Sequence, residues 1–143
     1  MPDSTFHQRL ALEPSPALHE QIRSAWARHS RALESRDLDA VLATVSPDCA
    51  YEIVPIGQRW EGHAGARAFY GEMFEAFPDA RVRIEDFVIG PQGVFWQGVL
   101  KATSKGWWGG MPPTGRVIEL KLIVYFPWDA VAERFAGERV WFA

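Results

Sequence analysis

Cysteine is almost missing from this chain. Cys49 is the only one in 143 residues, which excludes an intrachain disulfide and a multi-cysteine metal site and fits a reducing, cytoplasmic setting. Histidine is scarce as well. His7, His19, His29 and His63 never stand four apart on one helix, so no metal is expected. No apolar run approaches the roughly 20 residues of a membrane helix. The opening MPDSTFHQRL has no basic segment followed by an apolar one, so neither membrane contact nor a signal peptide is expected. HExxH, GxSxG, a Gly-rich phosphate loop and strand–GxGxxG–helix are all missing, and no cofactor is expected. The net charge of −3 comes from interspersed acids and bases. No basic stripe exists to attract nucleic acid.

Aromatic residues are plentiful: seven tryptophans and nine phenylalanines. Rings of this kind fill cores and also line ligand pockets. Residues 1–16 read as a flexible arm, broken by Pro14 and Pro16 and followed by one domain over 17–143. From Ala17 to Arg36, Leu18, Ile22, Trp26, His29 and Leu33 recur at helical spacing on one face. A short helix follows from Leu38 to Val45, then a strand over Ala50–Val54 stopped by Pro55. Gly57–Gly65 reads as a loop. Ala66, Phe69, Tyr70, Met73, Phe74 and Phe77 stripe a third helix that Pro78 ends. Strands are expected over Arg81–Ile89, Val94–Thr103, Arg116–Phe126 and Arg134–Phe142. Helices first and a strand meander after predict an α+β fold, with helices on one face of a curved sheet. In the long strand, Ile118, Leu120, Leu122, Val124 and Phe126 should face inward, and Glu119, Lys121, Ile123 and Tyr125 outward.

Three blocks suggest a family: FPDARVRIEDFVIG, GWWGGMPPTGR and the closing GERVWF. Together with the early helices and the short strand ending in Pro, they resemble the SnoaL-like polyketide or ester cyclase branch of the nuclear transport factor 2-like superfamily, from about His19 to Phe142. The resemblance implies a cone-shaped α+β barrel. Its strongly curved mixed or antiparallel sheet wraps the N-terminal helices around an apolar pocket. It also implies homodimers through the outer sheet face. Several positions depart from the family pattern. Val124 stands where cyclases carry an inward Asp, Val54 where isomerases carry an acidic base, Ser104 where relatives often have His, and Ala143 where the last strand usually ends in Asp. The usual carboxylates are therefore missing.

His29, on the apolar helix face, falls where isomerase relatives place a proton-donating Tyr, and an imidazole can exchange a proton near neutrality. It could equally be a core histidine satisfied by one hydrogen bond. In the first strand either Glu52 faces the cavity, with a raised pKa suited to acid–base work, or Tyr51 does, as a donor to the ligand. Parity leaves the two open, because a bulge near Pro55 would exchange the faces. The pocket wall is expected to include Trp26, Phe74, Trp96, Leu120, Val124 and Trp141. Trp108 should stand near its mouth, in a glycine-rich lid. Arg116 could bind a ligand carbonyl or carboxylate but reads rather as a structural salt-bridge residue, the family position of Glu138 implies a structural pairing with a nearby Arg, and His63 reads as a turn or cap residue. The combination predicts cofactor-free cyclisation or isomerisation of a lipophilic, polyketide-like substrate. A non-catalytic binder of a hydrophobic small molecule and a protein-interaction scaffold with a filled cone are the alternatives.

Overall fold

The computed structural model describes the backbone of residues 2–143 and the side chains of residues 6–143; the first residues of the expected arm lie outside that description. The helix expected after Pro16 is α2 (Pro16–Glu34). Ser15 caps it, its hydroxyl oxygen accepting from the Leu18 amide at 3.1 Å. Its buried face carries Ile22, Ala25, His29 and Ala32. Helix α3 (Leu38–Leu42) is capped by Asp37, which accepts from the Ala40 amide at 3.1 Å. Helix α4 (Gly62–Ala76) buries Ala66, Phe69, Tyr70 and Ala76 and ends before Pro78, which disfavours helix at the residue it follows.

Six strands form one mixed sheet: β1 (Val45–Ile53), β2 (Gln58–Glu61), β3 (Arg81–Gly90), β4 (Gly93–Thr103), β5 (Val117–Asp129) and β6 (Arg134–Phe142). Their order is β2-β1-β6-β5-β4-β3. Only the β1–β6 pair is parallel. The sheet is open rather than a closed barrel, because its edge strands β2 and β3 do not pair. Helices α2 and α4 pack on one face. Leu120, Leu122, Val124 and Phe126 of β5 are buried there, while Glu119, Lys121 and Ile123 are exposed on the other. The strand alternation thus runs as the sequence predicts. Tyr125 differs from its outward neighbours in being covered. It stacks on Phe95 with centroids 4.2 Å apart.

Three elements differ from expectation. A helix, α1 (Pro2–Leu10), stands where a loose arm is expected. Pro14 and Pro16 fall beyond its end, and Arg9 anchors it to the sheet. The Arg9 guanidinium donates to the Tyr125 hydroxyl, and Gln92 Nε2 donates back to the Arg9 carbonyl at 3.0 Å. Strand β1 begins five residues early and pairs with β2, read from sequence as loop. Four mostly polar residues carry no alternation to detect. The turn that joins them has Gly57 at φ +65°. The third difference is a bulge in β6. Phe135 opposes Trp128 and Arg139 opposes Tyr125, so β6 holds one more residue than β5 over that stretch. Phe135 and Glu138, three apart, therefore both face inward. Gly137 makes this possible. Its φ is +128°, and a Cβ there would collide with the Ala50 carbonyl oxygen.

Candidate functional site

The space between α2, α4 and the sheet is occupied by rings, not by an open pocket. His29 is fully buried among Trp26, Tyr70, Phe126 and Phe135, with ring centroids 5.0–6.1 Å away. Its hydrogen bonds fix its tautomer. Thr44 Oγ1 donates its one proton to the Val41 carbonyl at 2.6 Å. It must then accept from His29 Nδ1–H, at 2.8 Å. That leaves the Nε2 lone pair facing the Tyr70 hydroxyl at 3.4 Å. Burial without a charged partner lowers the His29 pKa to about 3, so the imidazole is neutral at physiological pH.

From His29 the chain continues to β1. Tyr70 donates to the Tyr51 hydroxyl at 3.1 Å. In that arrangement the proton of Tyr51 itself has no acceptor among the described residues. If the polarity reverses, Tyr51 donates to Tyr70 and Tyr70 to Nε2. Each hydroxyl has one proton, so these two senses are the available ones. Burial raises both phenol pKa values well above their ordinary value, and the nearby Glu138 carboxyl raises them further. Both tyrosines are neutral donors.

Glu138 is the residue that sequence reasoning misread. It is expected to pair with an arginine, but its carboxyl makes no ion pair and no hydrogen bond among the described residues. It stands opposite Tyr51 in the parallel β1–β6 register and is 7% exposed. Burial alone raises its pKa to about 8. The arginine of that strand serves Glu52 instead. Glu52 points to the outer face, with Arg59 at 3.5 Å and Arg139 at 3.7 Å. The parity question is thereby answered: Tyr51 is inside and Glu52 outside. Tyr70 was legible only as one more member of an apolar stripe. The bulge hid Glu138, since strict alternation from Phe135 would have turned it outward.

The expected pocket residues separate. Trp26 and Phe74 pack against the core, and Trp96, Leu120 and Val124 belong to it. Trp108 lines a cleft of about 570 Å³ with Ile53, Ile56, Gln58, Ala76 and the exposed Trp107. Trp141 lines a depression of about 510 Å³ on the outer sheet face, beside Gln97, Val99, Lys121 and Ile123. The glycine-rich segment is a defined turn rather than a loose lid. Trp108 and Met111 exchange backbone hydrogen bonds at 3.1 and 2.9 Å, and Gly109 and Gly110 between them both have positive φ. Trp108 is wedged between Phe77 and Phe142. The cleft is close to the tyrosines. Ile53 on its wall is two residues beyond Tyr51 on the same face of β1, a separation of about 7 Å. Arg116 is exposed, and His63 Nε2–H caps the Val45 carbonyl at 3.0 Å. Among the described residues, no three His, Cys, Asp or Glu side chains come together to hold a metal ion. No helix is long and apolar enough to cross a membrane.

Comparison with known proteins adds to this geometry. The model of the SnoaL-like domain matches residues 19–140. Solved structures share the fold. One is a candidate SnoaL-like polyketide cyclase from Jannaschia sp. CCS1, with a TM-score of 0.76, 22% identity and coverage of 92% of this chain and 91% of that one. Another is an NTF2-like protein from Burkholderia pseudomallei, with a TM-score of 0.70, 19% identity and coverage of 86% and 91%. A third is TerC, co-crystallised with polyporic acid, with a TM-score of 0.68, 16% identity and coverage of 86% and 92%. No curated protein matches the chain significantly.

Proposed function

This chain belongs to the SnoaL-like domain family, and from that premise we propose that it is an enzyme of cofactor-free acid–base chemistry on a lipophilic carbonyl compound, cyclising or isomerising it. The observation that carries this reading is the buried polar chain Thr44–His29–Tyr70–Tyr51, which runs through an otherwise aromatic interior from α2 to β1. Tyr51 polarises the substrate carbonyl. His29 does not shuttle a proton in this account. A pKa of about 3 makes it a weak base, and its role is to orient Tyr70. The substrate enters by the cleft beside Trp108 and Ile53 and displaces interior rings. Co-crystallisation of TerC, which shares the fold, with polyporic acid supports a small-molecule ligand.

The test is turnover by purified protein of a panel of polyketide-like β-diketones and fused aromatic ketones, followed by mass spectrometry and NMR. Tyr51→Phe is expected to lower kcat by about 100-fold while keeping the fold, in line with the loss of a positioned donor. Conversion of none of the panel, or full activity in Tyr51→Phe, contradicts the reading. The ring-filled interior favours one other reading, an interaction module with no substrate. Against it stands Glu138, an unpaired buried acid that a purely structural core gains nothing by keeping.

We also propose a homodimer through the outer sheet face, where Phe95, Ile123 and Val88 are exposed. Sedimentation of a monomer at all concentrations would overturn it. The free, buried thiol of Cys49 supports a cytoplasmic setting.

A further inference from the structure

The cleft beside Trp108 carries a charge pattern that the reaction proposed above does not use. Glu72 and Glu75 line it together with Ala76. Glu75 and Ala76 follow Glu72 by three and four residues, so all three share one face of α4 near its end. A helix C-terminus carries partial negative charge and favours cations. The last turn of α4 has none; it has Glu75, with Glu72 just before it. Neither carboxylate takes part in an ion pair among the described residues. No lysine, arginine or histidine lines the cleft. The cations of the flanking segments are engaged elsewhere. Arg36 donates to the Pro78 carbonyl at 2.6 Å and lies over the Phe74 ring. Arg59 pairs with Glu52 and Arg67 with Asp39. Lys105 is close enough to Asp79 to act on its charge.

The other wall is aromatic. Trp107 lines the cleft and is 68% exposed, so its indole contributes little to the core. The segment that presents it is held on both sides. The Lys105 amide donates to the Ala76 carbonyl at 2.8 Å. Gly106 lies so close to α4 that a Cβ there would stand 3.1 Å from Ala76 Cα. Beyond Trp107, the turn closed by Trp108 and Met111 fixes the chain again. Ile53, Ile56 and Trp108 complete the cleft with apolar surface. An ammonium group is attracted both by carboxylates and by an aromatic face, and indole is the strongest of the aromatic partners. We propose that this cleft binds a lipophilic organic cation, an ammonium group carried on an apolar body. The charge sits between Trp107 and the carboxylates of Glu72 and Glu75, and the body lies against Ile53, Ile56 and Trp108. The volume of about 570 Å³ suits a drug-sized molecule. Anions are repelled by the same acids. The assignment concerns the cleft alone and does not depend on the reaction proposed above.

Three probes of one shape separate charge from hydrophobicity: (3-hydroxyphenyl)trimethylammonium, its neutral counterpart 3-tert-butylphenol, and the anion 3-hydroxybenzenesulfonate. Each is titrated into nitrogen-15-labelled protein at neutral pH, and the indole N–H signals are followed by NMR, with that of Trp107 assigned from Trp107→Phe. The cation is expected to shift the Trp107 signal and to bind about 10-fold more tightly than the neutral probe, while the sulfonate leaves that signal unmoved. Changing Glu72→Gln and Glu75→Gln together is expected to weaken the cation about 10-fold and to leave 3-tert-butylphenol unchanged. Trp107→Ala is expected to weaken the cation by about 2–5-fold. All three residues are exposed, and circular dichroism shows that each variant is folded. Equal affinity for the cation and the neutral probe, or for the cation in wild type and the double glutamine variant, overturns the assignment. The cleft is then an apolar entrance only, and the proposed function stands. A Trp107 signal unmoved by about 10 mM cation also overturns it.

Discussion

Glu138→Gln is expected to stabilise the protein by about 3 kcal/mol at pH 7 and to change nothing near pH 4. In the folded state the carboxyl ionises near pH 8, against an ordinary value of 4.5. Below 4.5 the acid is protonated in both states, and its pKa shift has no effect. Between 4.5 and 8 the unfolded chain ionises and the folded one does not, so stability falls as pH rises. At pH 7 the interval is 2.5 units at about 1.4 kcal/mol each, an order-of-magnitude figure. Glutamine has the same shape and the same unpaired polar head, but it does not ionise. For a chain of this size the gain corresponds to roughly 10 °C in Tm. Urea unfolding of both proteins at pH 4 and pH 7 checks it. Equal pH slopes in the two proteins would mean that Glu138 is ionised in the native state.

His29→Ala is expected to be the most destabilising of the substitutions at the site, by about 3–5 kcal/mol at pH 7. Removing a fully buried ring leaves a cavity, and it strips partners from Thr44 and Tyr70. The packing against Trp26, Phe126 and Phe135 makes the ring part of the core. His29 also shapes the acid limb of the stability curve. Its folded pKa is about 3 against an ordinary 6.5. As pH falls through this window, the unfolded chain gains a proton that the folded one refuses, and stability is lost. Glu138 and His29 thus have opposite slopes that cancel between pH 4.5 and 6.5. Stability should be flat there, falling on the acid side from His29 and on the alkaline side from Glu138. Calorimetry of wild type and His29→Gln across pH 3–8 tests this, the glutamine variant losing the acid limb. An acid limb of equal slope in both would show that His29 is protonated inside the fold.

The helices and the meander were legible because their periods are clean. Ile22, Trp26 and His29 fall on one stripe, and Leu120, Leu122 and Val124 alternate with Lys121 and Ile123 along β5. The family blocks were legible for the same reason: they are contiguous. What escaped was non-local. Strand β2 is four mostly polar residues that become a strand only by pairing with Ala50–Ile53. The choice between Tyr51 and Glu52 depended on a register set by β6, more than 80 residues on. Glu138 depended on one bulge in that strand. Tyr70 stood in the sequence as one apolar residue among six, and only its approach to His29 and Tyr51 gives its hydroxyl a role.

The central claim is that the buried cluster around Tyr51, and not the outer sheet face, receives the substrate. A crystal structure with 2-tetralone bound tests it most directly. The account predicts the ketone oxygen within hydrogen-bond distance of the Tyr51 hydroxyl and interior rings moved to admit the ligand. Tetralone seated only in the depression beside Trp141, with Trp26, Phe126 and Phe135 unmoved around His29, would contradict it.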